Sequence, residues 1–134
     1  MNFSHRRSSG GFGYAAGTGS DSNDTAAALM ALRSAGTPCG WRVMDRGYAY
    51  MRSLRRSDHG YALTATAGSD SQSTAWVISA RIKCHKSNTR ALSYLAARKH
   101  SNGMYSYRKG VVQTPAWVTS QVLPAVNGKG YPIR

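Results

Sequence analysis

Glutamate is missing altogether from this 134-residue chain, and aspartate occurs at only five positions against 18 lysines and arginines. The formal net charge is therefore +13. A surface of that sign attracts polyanions such as nucleic acid or acidic lipid headgroups through its long-range field. An arginine-rich proteome produces the same balance without any such partner. Long apolar runs are missing too: nothing approaches the roughly 18–20 uninterrupted apolar residues of a membrane-spanning helix. His5, Arg6 and Arg7 lead into Ser-Ser-Gly-Gly rather than an apolar segment, so no signal peptide is legible. Cysteine is confined to Cys39 and Cys84, in unlike contexts and without CxxC or Cys/His zinc spacing. Whether these two pair is open from spacing alone, and so is the compartment. A zinc site pieced together from Cys84, His85, Asp45 and His59 has no spacing to support it, so no metal and no cofactor are expected.

What is present is repetition. Ser4-His-Arg-Arg-Ser-Ser-Gly-Gly-Phe12, Ser53-Leu-Arg-Arg-Ser-Asp-His-Gly-Tyr61 and Ala97-Arg-Lys-His-Ser-Asn-Gly-Met-Tyr105 line up. A second landmark follows each: Asp21-Ser-Asn-Asp-Thr-Ala-Ala27, Asp70-Ser-Gln-Ser-Thr-Ala-Trp76 and Val112-Gln-Thr-Pro-Ala-Trp117. Self-similarity at such a period means stacked supersecondary units. The first unit starts part-way through, so the chain is expected to be the C-terminal part of a longer ancestor or a truncated gene product.

Each unit reads as helix, Gly-rich connection, helix. Gly47, Tyr50, Met51 and Leu54 form one apolar stripe at helical spacing, echoed by Ala91, Tyr94 and Leu95; in the first unit only a tail at about residues 2–8 remains. The glycines of the connection allow the positive φ that ends a helix. Asp21 and Asp70 then precede second helices over Thr25–Arg33 and Thr74 to about Ile82, placed as N-caps whose carboxylates accept first-turn amides. The third copy opens at Pro115 and runs to about Leu123, where Pro124 is expected to end or kink it. Residues 128–134 read as a short tail, and Phe12–Tyr14 and Tyr105–Tyr107 as turns rather than strands.

The turn Ser9-Gly10-Gly11-Phe12-Gly13-Tyr14, the helix start Asp21-Ser-Asn-Asp-Thr-Ala-Ala-Ala-Leu-Met-Ala-Leu32 and Gln113-Thr-Pro-Ala-Trp-Val118 resemble units of the terpenoid-cyclase and protein-prenyltransferase repeat family, which includes squalene–hopene cyclases. The chain also resembles bacterial proteins known only by this prenyltransferase/squalene oxidase repeat. The resemblance implies an all-α fold of stacked helical hairpins forming part of an α/α toroid around an apolar cavity. It makes residues 1–134 a single partial domain, with units at about 1–36, 37–88 and 89–127.

Class II cyclases of this family carry Asp-x-Asp-Asp-Thr-Ala at an inner helix start, the middle acid protonating an alkene or epoxide. Asp21-Ser22-Asn23-Asp24-Thr25-Ala26 matches at Asp21 and Asp24, the candidate catalytic residues, but Asn23 stands where the proton donor belongs. An amide is not a useful acid toward a hydrocarbon, and Asp70-Ser-Gln-Ser-Thr74 occupies the same place without a second acid, which favours capping. Trp76 and Trp117 align as equivalent inner-helix positions and, with Tyr14 and Tyr107, are candidate cavity-lining aromatics able to stabilise a cation through their ring faces; core packing between inner helices is the favoured account. The zinc set of the prenyltransferases, Asp, Cys and His, has no counterpart.

Arg52, Arg55 and Arg56 with Arg98, Lys99 and His100 would cluster on successive outer helices near Tyr48, Tyr50 and Tyr94. That is a basic surface for RNA or lipid, or a plain solvated face; no nucleic-acid-binding module is legible, and nucleic acid is not the expected partner. Arg81 aligns with Leu32, and Arg98 and His5 align with Leu54. Charge where sister units place core residues implies marginal stability. The leading expectation is a repeat module without its own catalysis, binding an apolar isoprenoid-like ligand or a protein partner that completes the toroid. The alternatives are a cyclase fragment and a basic surface module.

Overall fold

The computed structural model describes residues 9–133. The helix tail expected at about residues 2–8, and His5 with it, lie outside the described residues. Among the described residues five helices form: α1 (Ser22–Ser34), α2 (Arg42–Ser53), α3 (Ser71–Ile82), α4 (Thr89–Ala96) and α5 (Pro115–Val126). Between α2 and α3, β1 (Tyr61–Ala62) pairs antiparallel with β2 (Ser69–Asp70), Tyr61 opposite Asp70 and Ala62 opposite Ser69.

The all-α expectation, and with it the partial α/α toroid of stacked hairpins, is overturned. The molecule is a small mixed α/β domain, with a two-stranded sheet beside its helices. The Gly-rich connections do more than end helices. Their backbone groups lie in the interior and must be paired, so they pair across the connection. Tyr61 and Ala62 are buried at 4% and 0% exposure and take up a ladder, while Phe12 pairs with Asp21 and Tyr105 with Lys99 as single bridges.

Helices α1 and α3 begin a turn earlier than Thr25 and Thr74 because the caps act where the spacing puts them. Asp21 accepts the Asp24 amide and Asp70 the Ser73 amide, each at 2.7 Å. In α2 the buried stripe is Val43, Met44, Gly47, Tyr48 and Met51. Tyr50 sits at its margin, its hydroxyl donating to the Ser20 carbonyl at 2.7 Å. Pro124 lies inside α5 rather than ending it. In the last turn its missing N–H removes a single ladder bond, so the helix runs on to Val126.

Helix α3 is the centre. It packs against α1 on one side and α5 on the other, with α2 against α1 and α4 against α3. Leu29, Met44, Met51, Ile78, Leu95 and Val122 are buried at this centre. Gly47 lets α2 approach α1 closely, since a Cβ there would lie 2.7 Å from a Leu29 methyl.

One hydrogen bond recurs in every unit. The amides of Phe12, Tyr61 and Tyr105 donate to the hydroxyls of Thr25, Thr74 and Thr119, each at 2.9 Å. A second bond ties one unit to the next: the Ser22 amide donates to the Leu63 carbonyl at 3.0 Å, and the Ser71 amide to the Tyr107 carbonyl at 2.8 Å. Thr119, not Pro115, is therefore the counterpart of Thr74. That moves the third unit by about one helical turn and makes Gln121 the counterpart of Trp76.

Cys39 and Cys84 form a disulfide, with Cα atoms 5.7 Å apart, tying the α1–α2 connection to the end of α3. The C-terminal segment is no loose tail. Tyr131 stacks on Trp76 with centroids 5.2 Å apart, and its amide faces the Met30 sulfur at 3.2 Å.

Candidate functional site

The most enzyme-like string lies at the start of α1. Asp21 is spent on capping. Asp24 stands beside it, and its carboxyl is pushed up from the ordinary value, first by burial and then by the Asp21 charge and a hydrogen bond with it; the Tyr14 amide opposes this. Asn23 accepts a hydrogen bond from the Ser22 hydroxyl at 3.2 Å. The position of the expected acid is an amide engaged with its neighbour.

The four aromatics have separate surroundings. Tyr14 is 80% exposed and Trp117 59% exposed. Trp76 is half-buried, its indole N–H donating to Gln121 at 2.7 Å while Tyr131 covers its face. Tyr107 is half-buried with the Arg108 guanidinium 5.1 Å from its ring centre. Surface cavities of about 300, 280, 470 and 590 Å³ are lined by none of the four.

The basic residues divide as well. Arg56 serves the fold, its guanidinium donating to the carbonyls of Thr64, Ala65 and Ala67 at 2.8–3.1 Å. Arg98 lies over the Tyr94 ring, 4.2 Å from its centre. Arg52 and Arg55 remain exposed. Arg81, which replaces the core residue of its sister unit, is held by Asn88 at 2.9 Å and the Ser87 carbonyl at 2.7 Å. Arg81 is thus paired outside the core, whereas Arg98 leans on the Tyr94 ring with its Nε buried and without an acceptor among the described residues.

The feature that pattern reading missed is the outer side of α5. Val118, Val122 and Ala125 face the core, while Trp117 and Leu123 are exposed. Ser120 and Leu123 occupy the positions of Ala75 and Ile78, which are fully buried in α3. Leu123 and the neighbouring Met104, Pro115 and Ala116 line the open cavity of about 470 Å³. The Ala116 amide is the counterpart of those of Ser22 and Ser71, and it has no acceptor among the described residues. At the opposite edge the Tyr14 carbonyl, counterpart of Leu63 and Tyr107, has no donor among them either. On α1, Ala31 is exposed where its α3 counterpart Ala80 is buried. The threonine register reveals this, and it becomes legible once Thr25, Thr74 and Thr119 are matched.

Among the described residues no group of histidine, cysteine or aspartate is placed to hold a metal ion, and no helix is long and apolar enough to cross a membrane. No family model and no curated protein matches the chain.

Proposed function

We propose that the chain is a non-catalytic repeat module, of the terpenoid-cyclase and prenyltransferase repeat type that its units resemble, whose work is to dock a partner chain across the outer side of α5. The observation carrying this reading is the pair of complementary edges. One offers an amide at Ala116 beside an apolar helix side, the other a carbonyl at Tyr14 beside the small residue Ala31, neither with a partner among the described residues. The occupant that fits is another unit of the same kind, and a second copy of this chain supplies one. Copies then add head to tail, a heterologous contact that extends rather than closes unless its rotation completes a ring. An apolar ligand in the α5 cleft fits less well, because the cleft is open and its floor is an interface position in the sister helix.

Sedimentation of the chain at rising concentration tests this. The expected result is a growing mass for the natural sequence and a monomer for Leu123→Lys, with the thermal midpoint unchanged. A monomer at all concentrations, or growth unaffected by Leu123→Lys, refutes head-to-tail docking. Turnover of a polyprenyl substrate that Asp24→Asn abolishes would replace this reading with the cyclase.

A further inference from the structure

The cavity of about 300 Å³ at the start of α4 is lined by three arginines, Arg55, Arg81 and Arg90, and by no carboxylate. Like charges gathered around one hollow repel, and an anion between them removes the repulsion. Arg81 is not loosely placed there. Its Nε donates to Asn88 Oδ1 at 2.9 Å and one amino group donates to the Ser87 carbonyl at 2.7 Å. The other amino group has no partner among the described residues.

Holding Arg81 uses up Asn88, whose own amide group donates to the Lys86 carbonyl at 3.0 Å. Asn88 is the N-cap of α4, yet it makes no capping bond. The first-turn amides of Thr89, Arg90 and Ala91 are left at the cavity without a side-chain acceptor. Tyr61 lines the cavity as well: the residue is buried at 4% exposure, and its hydroxyl, which solvent still reaches, has no hydrogen-bond partner among the described residues.

We infer that this cavity is a binding site for the phosphate group of a small phosphorylated molecule. Guanidinium forks match phosphate oxygens in pairs. Uncapped amides at a helix start donate to the same oxygens along the favourable end of the helix dipole. A phenol supplies one more donor. The arginine that looks misplaced beside Leu32 of the sister unit is, on this assignment, the fixed member of the site.

Titration of the whole chain with inorganic pyrophosphate, followed by amide shifts in NMR spectra, provides the test. Saturable binding is expected, with shifts centred on Thr89, Arg90 and Ala91 and weakening as salt rises. Arg81→Leu installs the sister residue and should preserve the fold; it and Arg90→Ala should each weaken binding about tenfold, the loss of one charge-assisted contact of ~1.4 kcal/mol. Arg52→Ala, exposed and outside the cavity, should leave it unchanged. Absence of saturation, or equal binding by Arg90→Ala and the natural chain, overturns the assignment. It is equally overturned if RNA or phosphatidic-acid vesicles bind while pyrophosphate does not, or if pyrophosphate binding falls as far in Arg52→Ala as in Arg81→Leu.

Discussion

Asp70 shows how one residue type does different work at the same repeat position. It is 1% exposed, and Ser73 reaches it twice, through its amide at 2.7 Å and its hydroxyl at 2.8 Å. Burial pushes the Asp70 carboxyl above its ordinary value, while Ser73 and the Arg108 charge pull in the opposite direction without overcoming it. The folded chain therefore holds this proton more tightly than the unfolded chain. The resulting stabilisation is complete below the unfolded carboxyl value of about 3.9 and is lost as pH rises through the raised folded value. Asp70→Asn keeps an oxygen for the Ser73 amide but cannot titrate. Urea unfolding at pH 7 and at pH 4 should show the natural chain gaining on Asp70→Asn as the pH falls; a constant or opposite difference contradicts the sign. The capping role was legible because it depends on three residues of sequence. The titration was not, because burial is set by the neighbouring unit, whose Tyr107 carbonyl takes the Ser71 amide.

Elements fared unequally for a related reason. The stripe of α4 could be read, and that of α2 in part (Gly47 and Met51, but not Val43, Met44 and Tyr48), because a side chain every third or fourth residue must face the same neighbour. The strands could not, since two residues have no period. The third unit was misplaced because Trp117 resembles Trp76 in its local string, whereas the match that matters is the hydroxyl of Thr119, met by Tyr105 across the connection. Close packing of α2 on α1 also gives a test at this scale. Gly47→Ala places a methyl group 2.7 Å from the Leu29 side chain, in a core with little room to yield. The expected loss is about 1–3 kcal/mol, as for other overpacked cores. Ala at Gly36 is a poor control, because that residue has a positive φ. Gly40→Ala is better, since nothing lies near it and its φ is not in the left-handed region; it should change stability by less than ~1 kcal/mol.

For the molecule as a whole, the disulfide counts for more than any single contact. Cys39 and Cys84 stand 45 residues apart in sequence, and closing a loop of that length removes about 4 kcal/mol of unfolded-chain entropy in the chain-entropy model. The Cys39→Ser/Cys84→Ser double variant should lose about 2–4 kcal/mol in urea unfolding. The natural chain should lose a similar amount when reduced, and stability indifferent to reductant would contradict the estimate. The marginal stability expected from misplaced charges is thus countered by a covalent tie, as well as by the partners that Arg81 and Arg98 find. The same tie sets how the chain answers to force. Pulled from its two ends, the oxidised molecule cannot pay out the segment between the cysteines. Its fully drawn length falls short of the reduced chain's by about 150 Å, at the ordinary reach of extended backbone for the 45-residue separation. Load applied at one end passes directly from the α1–α2 connection to the end of α3, leaving α2 and the small sheet slack beside it.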